Sequence, residues 1–121
     1  MMVFALVCLC GAVGAVARFA VDAAFRARWR TTFPWPTVLI NVTGSLLLGI
    51  LTGLLMHHST GKDTVLLIGT GFCGGYTTFS TAMFETVRLI QRNAWRLVVG
   101  NVVATIVLTT AAAALGLAMV A

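Results

Sequence analysis

Gly69-Thr70-Gly71-Phe72-Cys73-Gly74-Gly75-Tyr76-Thr77-Thr78-Phe79-Ser80-Thr81 is the stretch on which the reading of this chain turns. It lies inside a longer run, residues 64–84, that contains no Asp, Glu, Lys or Arg. A helix of roughly 20 apolar residues spans the ~30 Å hydrocarbon core of a bilayer, so this run is long enough to cross once. Three more uncharged runs have the same property: Met1 to Ala17, Thr37 to Met56 and Leu97 to Ala121. None shows the period-2 alternation of a membrane β-barrel, which leaves helices as the spanning element. The expected fold is therefore an all-α membrane protein with helices over 2–25, 35–57, 64–92 and 95–120, in one transmembrane domain covering residues 1–121.

Composition agrees with that frame. Of the 121 residues, 60% are hydrophobic and only 9% charged, with a mean hydropathy of +1.01. A soluble domain carries about 25% charged residues, so this chain lacks the material for a wetted surface. Ala15-Val16-Ala17 resembles a signal-peptide cleavage site, but no basic segment precedes the apolar run and the run continues to Val21. The first helix is expected to stay. The net charge of +5 would suggest nucleic acid in a soluble protein. Here the basic residues flank apolar runs and read as topology anchors, so no nucleic-acid partner is expected. Cys8, Cys10 and Cys73 lie within apolar segments and read as small packing residues; His57 and His58 read as solvated loop residues.

Arg26, Arg28 and Arg30 lie in the first connection, and Arg88, Arg92 and Arg96 at the end of the third helix and in the third connection, whereas the second offers only Lys62 beside Asp63. By the positive-inside rule, the first and third connections face the cytoplasm and both termini lie outside. Trp29, Trp35 and Trp95 fall where an aromatic belt would put them, and Pro34 and Pro36 mark the start of the second helix. Small residues repeat at packing distance in the pairs Gly11/Ala15, Gly49/Gly53, Gly71/Gly75 and Gly100/Ala104, which let membrane helices approach closely.

Polar groups at bilayer depth are costly and call for a partner or a task. Asn41 brings an amide donor into the second helix, either to meet an ion or to bond a neighbouring helix. Gly74-Gly75 followed by Tyr-Thr-Thr is a poor recipe for a continuous helix, and an interruption near Gly74–Thr78 would free backbone carbonyls and N–H groups at bilayer depth. Interrupted membrane helices hold ions in this way, although a glycine-rich packing face would use the same residues. Thr77, Thr78, Ser80 and Thr81 add hydroxyls. Phe79 offers electropositive ring edges, and Arg18 either steers anions or snorkels to the interface. Asn101, Thr105 and Thr109, spaced by four, form one polar stripe on the last helix.

Taken in order, Gly11-x-x-Gly14-Ala15-x-x-Arg18, Pro36-Thr37-Val38-Leu39-Ile40-Asn41-Val42-Thr43-Gly44-Ser45-x-x-x-Gly49, and Gly71-Phe72-Cys73-Gly74-Gly75-Tyr76-Thr77-Thr78-Phe79-Ser80-Thr81 with Glu85 resemble the CrcB/Fluc family of bacterial fluoride channels. The resemblance implies a passive, fluoride-selective channel in the bacterial cell membrane that lets fluoride out of the cytoplasm. It implies an antiparallel dimer with two pores and a central structural sodium ion. The sodium would be held by the backbone carbonyls of Gly74 and Thr77 from both subunits. Asn41, Phe79 and Arg18 match pore and vestibule positions, Ser80, Thr81 and Glu85 further polar positions of the motif, and Thr105 and Thr109 a possible polar track. One position departs: the family continues with a second pore phenylalanine where this chain has Ala82, and Phe84 lies ~200° further around a helix of 3.6 residues per turn. Together with the one-sided loop charge, this points to an oppositely oriented paralogue as a possible second subunit in place of an identical copy. Two other functions are compatible with four short helices. A proton-coupled small multidrug transporter would need a carboxylate deep in the bundle, and a non-conducting partner subunit would need only the packing ridges. No nucleophile–base set or metal-ligand cluster suggests an enzyme.

Overall fold

A computed structural model describes all residues 1–121 and is helical throughout, with no strands. Helix α1 covers Met2–Arg28, α2 Trp35–His57 and α6 Trp95–Met119; each is long and apolar enough to cross a membrane. The fourth rod is built in pieces. A short α3 (Lys62–Val65) leads into a π-helical segment, Leu66–Cys73, then α4 (Gly74–Tyr76) and, after residues 77–79, α5 (Ser80–Gln91). The boundaries of α2 and α6 follow the sequence expectation closely, because Pro36 in the first turn and Trp95 after a tight turn mark their starts. That turn is a Schellman motif. Asn93 adopts a left-handed φ of 57°, its N–H bonds the Ile90 carbonyl at 3.0 Å, and the Ala94 N–H bonds that of Leu89 at 3.0 Å.

Two glycine seams hold the rods together. The α2–α6 pair is the most extensive contact in the molecule. There a Cβ on Gly49 would meet the Ala113 carbonyl, and one on Gly116 the Leu46 carbonyl. The second seam joins α1 to the π-helical segment and α4, where a Cβ on Gly75 would run into the Gly11 carbonyl and one on Gly14 into that of Phe72. The small-residue spacing in the sequence is thus used for backbone-to-backbone approach at Gly11, Gly49, Gly71 and Gly75, whereas Gly100 meets only the Phe33 ring at 3.4 Å.

Gly74 and Gly75 do not themselves leave the helix. Gly74 has φ −62° and ψ −38°, and the chain becomes extended only at Thr77 (φ −78°, ψ 160°). The reason lies in the packing: Gly75 must stay helical to lie against Gly11, so the departure falls on the residues that follow. Only 21 of the 121 residues are buried, so most apolar side chains face outward.

Candidate functional site

The residues after Tyr76 form a hydrogen-bonded knot between α2, α4 and α5. Thr77 turns both its N–H (2.9 Å) and its hydroxyl (2.7 Å) back to the Cys73 carbonyl. Asn41, 8% exposed, pairs with the backbone of Thr78: its Nδ2 donates to the Thr78 carbonyl at 2.9 Å, and its Oδ1 accepts the Thr78 N–H at 2.9 Å. The Thr78 hydroxyl in turn accepts the N–H of Thr81 at 3.1 Å.

The consequence falls on two carbonyls. In an unbroken α-helix the Gly74 carbonyl would receive the N–H of Thr78, and the Thr77 carbonyl that of Thr81. Both donors are diverted, one to Asn41 and the other to the Thr78 hydroxyl, and no hydrogen bond within the chain ends on either carbonyl. The next carbonyl, that of Gly75, is taken by Arg18 Nε at 3.3 Å. Gly74 is exposed, and a Cβ built on it would meet nothing within 4 Å, so its surroundings are open.

Beside these carbonyls runs a groove of about 610 Å³ bounded by α2, the π-helical segment, α4, α5 and α6. It gathers Asn41, Gly74, Thr77, Phe79, Thr105 and Thr109 from three separate parts of the sequence, with Ala82 and Asn101 also on its wall. No charged side chain lines it. Phe79 is 77% exposed on this face. Thr109 donates to the Thr105 carbonyl of its own helix at 2.5 Å, so its hydroxyl proton is already engaged.

The other expected residues stand outside the groove. Arg18 is half-buried against the Gly75 carbonyl. Ser80 is exposed, with its hydroxyl 3.4 Å from that of Thr78, and Thr81 contributes its N–H to the knot. Glu85 belongs to a separate cluster: it accepts Arg26 Nη2 at 3.1 Å and the Thr37 hydroxyl, while Arg26 Nε also bonds Asp22 at 3.0 Å. This cluster borders a second hollow of about 230 Å³ near Trp29 and Arg30. Ala82 is buried at the groove, while Phe84 is 62% exposed with the Arg88 guanidinium 5.7 Å from its ring centre, so the two occupy different faces.

One polar pair was only half visible in the sequence, where Asn101 belongs to the polar stripe of the last helix but Thr86 carries no signal. Asn101 Nδ2 donates to the Thr86 hydroxyl at 2.7 Å, and that hydroxyl donates to the Ala82 carbonyl at 2.7 Å. Both side chains are buried, and the pair ties α5 to α6 at the groove wall. Thr86 sits among unremarkable residues in the sequence; only its meeting with Asn101 across two helices gives it a role.

Four helical rods, three of them uninterrupted and apolar, and an uncharged groove opening on their side define a small multi-pass membrane protein. Residues 5–117 match the family model described as "CrcB-like protein, Camphor Resistance (CrcB)", and the chain belongs to that family. It is 44% identical over 116 residues to "Fluoride-specific ion channel FluC 1" of Leifsonia xyli subsp. xyli, covering 96% of this chain and 85% of the relative. It is 47% identical over 110 residues to "Fluoride-specific ion channel FluC 2" of Mycobacterium bovis, covering 91% and 84%. A third relative, "Fluoride-specific ion channel FluC 2" of Cutibacterium acnes, is 49% identical over 83 residues, covering 68% of each chain.

Proposed function

We propose that this chain is a subunit of a fluoride-selective passive channel that lowers cytoplasmic fluoride, and that a second, antiparallel subunit completes the pathway. The observation that carries the reading is the groove, which combines Phe79, Asn41 and Thr105 with an absence of charge in a protein whose relatives are named fluoride-specific channels. A small, strongly hydrated anion needs donors to replace its water but no fixed cation to trap it. Asn41 uses one of its two amide hydrogens on Thr78, which leaves the second for an ion in the groove. The ring edges of Phe79 and the hydroxyl of Thr105 supply weaker, release-compatible contacts. No carboxylate lines the groove, which argues against proton-coupled drug exchange.

A structural sodium ion fits the residues present. The Gly74 and Thr77 carbonyls lack hydrogen-bond donors and are hard oxygen ligands on an open face. The same two carbonyls from a second subunit would double the ligand set. When bound, the ion supplies a fixed positive charge and a tie between subunits. A variant of this reading pairs the chain with a paralogue in the opposite orientation. It is supported by the one-sided loop arginines, by Ala82 on the groove wall, and by relatives bearing the names FluC 1 and FluC 2.

Efflux from proteoliposomes, followed with a fluoride electrode and with chloride as control, tests the proposal. Fluoride loss without chloride loss or proton coupling is the expected result. Drug–proton exchange would replace the reading with a transporter, and silence of the chain alone but not with a paralogue would make it the subunit of a paired channel.

A further inference from the structure

We propose that Asn41 and the Thr78 hydroxyl are positioning residues for the cation cradle, keeping the Gly74 and Thr77 carbonyls free by capturing the two N–H groups that would otherwise close on them. The inference rests on the sodium reading above and deepens it. A backbone carbonyl at bilayer depth is normally satisfied within its own helix, since no water is at hand to replace the bond. The extended backbone at Thr77 (ψ 160°) turns the N–H groups that follow away from those carbonyls, and this departure has to be held against closure into a continuous helix. What holds them away is chemistry supplied by side chains, one of them on another helix. Asn41 meets Thr78 through both of its amide functions, each at 2.9 Å, in a two-point contact that sets the orientation of the two peptide groups flanking Thr78. The Thr78 hydroxyl takes the Thr81 N–H at 3.1 Å, ahead of the first full turn of α5. The amide that faces the groove thus also shapes the backbone beside it, which couples the anion path to the cation cradle through one residue.

Thr78→Val tests the second half of the device with little change in shape. It removes the acceptor for the Thr81 N–H but leaves the Asn41 contact, which uses only the backbone of Thr78. Thr78→Ser keeps the acceptor, and Thr78→Ala removes it without bulk if valine perturbs folding. The measurement is the melting of the purified, assembled protein in sodium chloride against N-methyl-D-glucamine chloride, titrated for the sodium concentration of half effect. In Thr78→Val and Thr78→Ala the midpoint should rise about three- to tenfold, the factor that one hydrogen bond competing for the Thr77 carbonyl represents. Thr78→Ser should match the parent. A parent protein stabilised by sodium whose valine and alanine variants keep the same midpoint would overturn the inference. A parent protein that melts alike in both salts would remove the sodium reading and this inference with it, while leaving fluoride flux to be judged separately.

Discussion

Replacing Asn41 by aspartate exchanges one heavy atom and should abolish fluoride passage. The carboxylate can still accept the Thr78 N–H, but it loses the donor to the Thr78 carbonyl and sets an oxygen where Nδ2 stood, 2.9 Å from that carbonyl in the parent. The lost bond costs ~1 kcal/mol, and the carbonyl left without a donor a further ~1–3 kcal/mol, because the site is 8% exposed and little water can substitute. The new charge matters more for the ion. Two unit negative charges at a separation on the order of 6 Å, with an effective dielectric of ~20, repel by ~3 kcal/mol, or roughly 100-fold in rate if it all falls on the barrier. The assay is fluoride-electrode efflux from liposomes, with gel filtration confirming that the variant assembles. Asn41→Leu serves as the neutral comparison, removing both hydrogen bonds to Thr78 without adding charge. Wild-type flux from correctly assembled Asn41→Asp protein would take Asn41 off the ion path and refute the reasoning.

Adjacent glycines should respond differently to alanine. Gly75→Ala drives a Cβ into the Gly11 backbone and should destabilise the fold by ~1–3 kcal/mol, seen as a lower melting temperature. Gly74→Ala meets nothing in the chain, so the monomer fold should survive and assembly with the second subunit should fail; gel filtration of this variant at parental size with parental flux would argue that no partner covers that face. Arg26→Gln breaks contacts to both Asp22 and Glu85, and, since the Arg26 side chain is about half exposed, should cost ~1 kcal/mol in thermal or denaturant unfolding. The loop arginines should give a single orientation with the C-terminus outside, so a C-terminal reporter should be active in that compartment alone and the chain by itself should give little flux. Equal signals on both sides, with strong flux from this chain expressed alone, would indicate that it inserts both ways and pairs with itself.

The sequence by itself determined the membrane class, the number of rods, the ends of α2 and α6, and the small-residue seams. These depend on local quantities: the length of an uncharged run, a proline in a first turn, or glycine at a spacing of four. It also drew attention to the stretch Gly74–Thr78, without saying which of its residues would leave the helix. Tertiary contact placed the departure within that stretch, because Gly75 lies helically against Gly11 and Thr77 is the first extended residue. The partner of Asn41 was likewise beyond local reading. Its contact with Thr78 crosses 37 residues, and whether an amide donor meets an ion, a neighbouring helix or a free peptide group depends on how α2 crosses the fourth rod. Glu85 follows the same logic: its place in a helix is local, but its bonds to Arg26 and Thr37 arise where the ends of α1 and α2 meet α5, away from the groove. Apolar length and periodicity act within one helix, whereas hydrogen-bond partners at bilayer depth are set between helices, so the rods were legible in the sequence and the knot that joins them was settled only by their packing.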